Sequence, residues 1–221
     1  MNGFVKRFYC LGLILFLSNL LFGQTPYPNP PESVVKTMIY DPNNRLYYQV
    51  SNDDKYLYIS IYKHENSKKL LMPGGVQYYF SVQGERDTTK LSRLTFPAYS
   101  DKNEWIGRTL VHVDRFADIR SRYLSSPNEL DIRTSVEHNR LVENNPYRSQ
   151  LIVPLSMIKP VGNSIDICIV LRGIRTKPLE EGTVAPVIVS KPPFKGITKE
   201  KMDEMVDLDT WTENWITYVL Q

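Results

Sequence analysis

The sequence predicts an all-β protein, an antiparallel two-sheet sandwich of immunoglobulin-like or jelly-roll-like type, with a long central insertion and a short C-terminal helix. Three observations carry this. Short runs rich in β-branched and aromatic residues alternate with a period of two, and clusters of Asn, Asp, Gly and Pro separate them. Strand–helix alternation and internal repeats of 20–50 residues are both missing, which removes α/β folds, propellers and solenoids. The 221 residues suffice for a single well-cored domain. Their aromatic content is tilted to tyrosine, with 14 Tyr against 8 Phe and 3 Trp.

The chain opens as an export signal. Lys6 and Arg7 precede an apolar run from Phe8 to Leu17, which Leu20, Leu21 and Phe22 continue to Gly23 and Gln24. A basic start, a short apolar stretch and a small residue at the end are the parts of a secretory leader, and a bilayer span needs about 20 apolar residues without the polar Ser18 and Asn19. Cleavage is expected after Gly23 or Gln24. Residues 1–23 are therefore the signal peptide, 24–36 a Pro-rich leader whose residues 24–33 are expected to be extended, and 37–221 one β-sandwich domain. Its last part, from about residue 197, is expected to dock on the sandwich. Cleavage removes Lys6 and Arg7 from a net charge of +3, and removes Cys10, so the mature chain is nearly neutral and holds Cys168 as its one thiol. An exported protein without disulfides fits a bacterial envelope or secreted location, periplasmic or outside the cell.

The elements follow in order. Leu46–Val50 and Tyr56–Tyr62 flank the turn-forming Ser51, Asn52, Asp53, Asp54 and Lys55, and read as a hairpin. With a period of two, Leu57, Ile59 and Ile61 take the core face, while Tyr56, Tyr58, Ser60 and Tyr62 take the other. Pro73, Gly74 and Gly75 lead into a third strand with Val76, Tyr78, Phe80 and Val82 inward. Leu91–Phe96 forms another strand, ended by Pro97. The polar stretch from Ala98 to about Gln150 is anchored by Trp105, Ile106, Phe116, Ile119, Tyr123 and Leu124. Within it a short helix is expected over Arg115–Tyr123 and a strand over Asp131–Val136. Gln150–Leu155 and Ile165–Leu171 are strands about a turn at Gly162, the second of them central and burying Cys168. Thr198 is placed to cap a helix carrying Met202, Met205 and Val206, and Trp211, Trp215 and Tyr218 follow at spacings of four and three.

The familiar catalytic and metal motifs are missing. His64, His112 and His138 do not stand at helical metal-binding spacing, and neither a Gly-x-Ser-x-Gly elbow nor a glycine-rich phosphate loop occurs. No metal and no cofactor are expected. His64 reads as part of a solvated charged loop and His112 as an ordinary strand or loop residue. Asp53 and Asp54 are explained by turn hydrogen bonding, and Glu180–Gly182 by a loop. Arg115, Arg120, Arg122 and Arg133 are interleaved with Asp114, Asp118, Glu129 and Asp131, which argues against nucleic-acid binding.

The tyrosine-rich face remains. The non-core face of the hairpin carries Tyr47, Tyr56, Tyr58 and Tyr62, with Tyr79 of the third strand expected to join them. Flat aromatics on a sheet can stack on sugar rings while their hydroxyls bond polar groups, so Tyr47, Tyr58, Tyr62 and Tyr79 are the candidate ligand-binding residues. The alternative is that loops or the Trp-rich terminus cover this face.

The segment running from Asp41 through Leu46, Tyr47 and Tyr48 to Asn52, Asp53, Tyr56, Leu57, Tyr58 and Ile59, followed by Gly74, Gly75, Val76 and Phe80, resembles the opening of the DOMON and family-nine carbohydrate-binding superfamily. The likeness covers residues 40–82 and is shared with exported proteins of Bacteroidetes-type bacteria. It implies an immunoglobulin-like or jelly-roll-like sandwich that binds sugars or, in some branches, haem, without catalysis. A Met and His pair for haem is not evident. The expected function is thus a non-catalytic exported sandwich binding a glycan or other envelope component. A structural or assembly protein of the envelope making protein contacts is the alternative, and a glycan-acting hydrolase using two carboxylates a weaker one.

Overall fold

The computed structural model describes residues 27, 29–98, 110–124, 126, 128–139, 145–175 and 199–221. The leader over 1–23, Trp105 and Ile106, the Glu180–Gly182 loop and the Thr198 cap lie outside the described residues.

Two antiparallel sheets face each other, as the alternation predicts. The first has five strands in the order β1 (Ile39–Asp41), β2 (Leu46–Asn52), β3 (Tyr56–Lys63), β9 (Tyr147–Pro154), β8 (Arg133–Glu137). The second has six, in the order β11 (Thr212–Val219), β10 (Ser164–Leu171), β4 (Val76–Ser81), β5 (Ser92–Ala98), β6 (Leu110–Asp114), β7 (Arg122–Tyr123). Among the described residues three α-helices punctuate them, α1 (Glu32–Thr37), α2 (Leu155–Ile158) and α3 (Lys199–Asp209), with short 3-10 turns at Ser67–Leu71 and Glu129–Asp131. Among the described residues no helix is long and apolar enough to cross a membrane.

The core lies between the sheets. Leu57, Ile59 and Ile61 of the first sheet face Val76, Tyr78, Phe80, Ile165, Ile167 and Ile169 of the second, all buried. Each such aliphatic side chain contributes about 1.5–3 kcal/mol of burial. Strand β10 is interior to its sheet, and Cys168 on it is fully buried and free. Polar bonds close one side of the sandwich. Thr212 Oγ1 donates to Asn44 Oδ1 at 2.6 Å, Asn44 donates to the carbonyl of Ile169 at 3.0 Å, and Tyr218 Oη donates to Asn52 Oδ1 at 2.8 Å.

Several local expectations change. The Arg115–Tyr123 segment is not a helix. Arg115 has a φ of 57°, Phe116 and Ile119 bridge each other across a turn, and Arg122 and Tyr123 pair with Val113 and His112 as β7. Strand β5 does not stop at Pro97 but contains it, with a cis Phe96–Pro97 bond beside the register shift between Thr95 and Ala98. Part of the leader is helical rather than extended, because Val34 buries itself and anchors α1. The terminal aromatics follow a short helix, as expected; Trp211 immediately precedes, and Trp215 and Tyr218 stand on, a strand whose eight residues pair with all of β10. Thr212, Ile216, Thr217 and Val219 supply the β-branched character that the aromatic spacing conceals.

Candidate functional site: the outer face of the five-stranded sheet

The hairpin delivers its non-core residues outward, and the neighbouring strands extend them into cross-strand rows. At one end Tyr40, Tyr47, Tyr62, Arg148 and Glu137 stand side by side from β1 to β8. In the middle Gln49, Ser60, Gln150 and Ser135 form a row of amides and hydroxyls drawn from four adjacent strands. The next row brings Ser51, Tyr58, Ile152 and Arg133 together, followed by Tyr56. The period of two accounts for all three rows, since the intervening residues point into the core.

Helix α1 lies along this face. Between its Ser33, Thr37 and the following Met38 on one side, and the middle row on the other, is a cleft of about 390 Å³ whose wall continues to Arg148 and Glu137. That volume falls in the range of small-molecule sites. Within the row Gln150 Nε2 donates to Ser60 Oγ at 3.4 Å, while the exposed Gln49 and Ser135 make no side-chain hydrogen bond among the described residues. Their donors and acceptors are available to a ligand. Glu137 is the one carboxylate among the described residues lining the cleft, whereas glycoside hydrolysis uses two.

The four tyrosines proposed from the sequence do not form one platform. Tyr47 is half-buried, with its ring 5.0 Å from Tyr40 and 6.3 Å from Tyr62. Tyr62 is 4% exposed, carries the Arg148 guanidinium 5.7 Å above its ring, and has its phenol raised in pKa by burial. Tyr58 Oη is bonded to Asp53 Oδ2 at 2.6 Å, and that carboxylate, next to it, raises the phenol's pKa. Tyr56 is tied to Asp131 and Arg133 in the same way. Tyr79 does not join them. It stands on β4 in the other sheet, faces away from the core and is 1% exposed against Cys168, Leu91 and Val170. Alternation assigns a residue to a face but not a strand to a sheet, because sheet membership is decided by long-range pairing.

No family model matches the chain, and no curated protein or solved structure does.

His64 corrects another expectation. It is not solvated but 8% exposed, with its ring 6.1 Å from those of both Tyr47 and Tyr62, and burial lowers its pKa. The charged sequence around it misleads because Lys63 also turns inward, where the carbonyls of Asn44 and Arg45 accept from its ammonium at 2.8 and 3.0 Å. Among the described residues no group of three or more His, Cys, Asp or Glu side chains is placed to hold a metal ion. The middle polar row and the covering helix were missed by sequence reasoning. The row had a legible signal, since Ser60 interrupts the tyrosines on the outward face; α1 had little, because its six residues follow a proline-rich stretch.

Proposed function

We propose that the protein is an exported, non-catalytic β-sandwich that binds a glycan, or another polyhydroxylated envelope component, in the cleft between α1 and the outer face of the five-stranded sheet. The observation that carries this reading is the row Gln49, Ser60, Gln150 and Ser135. Amides and hydroxyls donate and accept at the spacing of adjacent strands, which suits the repeated hydroxyls of a sugar, and the neighbouring Tyr47 ring offers an apolar face. The resemblance of residues 40–82 to carbohydrate-binding sandwiches and the secretory character of residues 1–23 support the same reading. The DOMON-like assignment belongs to this proposal, as does the envelope location.

The test is a glycan array on the mature chain, followed by calorimetry on any hit with the Gln49→Ala/Gln150→Ala variant. Binding lost in a folded variant supports the cleft; an array without hits, or a hit unaffected by the double substitution, sinks it. A second reading, an envelope assembly protein, is favoured by one observation. Edge strand β1 and α1 expose Ile39, Tyr40 and Val35 at 61%, 44% and 53%, an apolar edge suited to strand addition. Trp211 and Trp215 do not serve that reading, since they pack on the cluster of Tyr79, Cys168 and Val170.

A further inference from the structure

The outer face of the six-stranded sheet gathers three guanidinium groups around one phenol. Arg172, immediately after β10, is 2% exposed; its Nη2 donates to Tyr79 Oη at 3.1 Å and its guanidinium lies 4.6 Å from the Trp211 ring. Tyr79 Oη in turn donates to Gln77 Oε1 at 2.8 Å. Arg93 is the cross-strand neighbour of Tyr79, and Arg115 sits over its ring at 6.0 Å. Asp114 is the carboxylate shared by two of them, 2.8 Å from Arg93 Nη2 and 3.3 Å from Arg115 Nε. Arg115 also donates to the carbonyl of Thr89.

The donors left over are the informative part. Among the described residues, Arg172 Nε and Nη1 and Arg93 Nε are buried and have no acceptor. A buried unpaired N–H is costly, the more so on a charged group, and a guanidinium cannot shed its proton to escape that cost. Stacking on Trp211 satisfies the face of Arg172, and Nη2 is taken by Tyr79, but Nε–H and Nη1, on opposite sides of the guanidinium, remain without a partner among the described residues. Among the described residues, three positive groups against the one carboxylate of Asp114 leave the cluster short of negative charge as well as of acceptors.

We propose that Arg172 and Arg93 form a binding site for an oxyanion group, a carboxylate, sulfate or phosphate, which accepts from Arg172 Nε–H and from Arg93 Nε–H. Two guanidinium N–H groups from different strands suit the several oxygens of such a group, and the Tyr79 phenol, which accepts from Arg172 Nη2 and gives its own proton to Gln77, holds the Arg172 guanidinium in place. The group can arrive as a free inorganic anion or on a larger ligand such as an acidic sugar. The site is in the opposite sheet from the cleft, so it stands or falls separately from the glycan reading.

The experiment measures Tm of the full mature chain against sodium sulfate, sodium phosphate and sodium galacturonate, each compared with sodium chloride at equal ionic strength. A saturable rise of about 5 °C at a hundred times Kd is expected for at least one of them. Response to all three marks a small-anion site; response to galacturonate alone marks the acid group of a larger ligand. Arg172→Met should weaken the response about tenfold or more. A rise that persists in Arg172→Met marks an adventitious ion only and overturns the proposal. Should that variant not fold, the arginine Nε–H resonances of the wild-type chain decide. Two of them shifting on titration supports the site, and resonances indifferent to every anion overturn it.

Discussion

Tyr58 Oη donates to Asp53 Oδ2 at 2.6 Å, tying the start of β3 back to its own turn. Asp53 Oδ1 meanwhile accepts from the backbone N–H groups of Lys55 and Tyr56 at 2.8 and 2.7 Å. One carboxylate thus organises the hairpin on which the whole tyrosine-rich face is built. The bond from Tyr58 is the largest cause holding the Asp53 carboxyl below its ordinary 3.8, and Asp53 likewise holds the Tyr58 phenol above 10.0.

The stabilisation from this pair should therefore fade at both ends of the pH scale. A carboxylate with a lowered folded pKa stabilises the fold above its unfolded pKa and loses that effect as pH falls below 3.8; a phenol with a raised one loses it as pH climbs past 10.0. Urea unfolding of wild type and Tyr58→Phe across pH should give a difference that is level at neutral pH and shrinks at both extremes. A pH-independent difference would show that the phenol contributes packing and not this bond.

Binding and stability should separate at the cleft. Gln49→Ala and Gln150→Ala each remove one partner on the outward row and should weaken a bound glycan by about 1 kcal/mol, roughly fivefold, while leaving Tm within about 1 °C. Tyr62→Ala empties a buried site and should destabilise the protein by about 3–5 kcal/mol. Calorimetry paired with thermal melting distinguishes them. A glutamine variant that melts far below wild type would mean the row holds the sheet together rather than facing a ligand.

What the sequence made legible and what it hid divide along the range of the interactions. The hairpin is readable because both its determinants are local: the alternation of Leu57, Ile59 and Ile61, and the turn chemistry of Asn52 and Asp53. Tyr79 is misplaced because its neighbours in sequence fix its face, whereas the sheet it joins is set by pairing with Arg93 on β5 and with Cys168 on β10, far along the chain. The terminal aromatics illustrate the same limit. A spacing of four keeps Trp211 and Trp215 on one face of a helix or of a strand alike; the spacing of three to Tyr218 sends it to the opposite face of β11, where it reaches Asn52. For the site, Tyr47 and Tyr62 mark the right face, but the residues lining its cleft come from β2, β3, β8 and β9, which meet through sheet pairing, and from α1 and Met38, which pack over them.

Cys168 should be inert while the protein is folded. Burial in the cluster with Tyr79, Val170, Trp211 and Trp215 pushes its thiol up to about 12, so thiolate is scarce at pH 8 and access is closed. Ellman's reagent should react with it only at the rate of global unfolding, rising in step with urea. Rapid modification in native buffer would mean that β11 opens locally from β10.

Lys63 should give the stability curve an alkaline rise. The residue is 1% exposed, and burial lowers its ammonium to about 8 from the ordinary 10.5, against the favourable pull of Asp207. Below pH 8 both folded and unfolded chains carry the proton and the burial cost of the charge is present in full. Between about 8 and 10.5 the unfolded chain binds the proton and the folded one does not, so stability increases with pH. The full gain is on the order of 3 kcal/mol, from about 1.36 kcal/mol for each pKa unit. Lys63→Met removes the titration while filling the same volume. Its cost from leaving the Asn44 and Arg45 carbonyls unpaired does not depend on pH, and the tyrosines and Cys168 titrate in both proteins and cancel. Unfolding free energies from urea at pH 7, 8, 9 and 10 should therefore diverge in favour of wild type as pH rises. Parallel profiles would place the Lys63 ammonium at its ordinary pKa and mean that water reaches it.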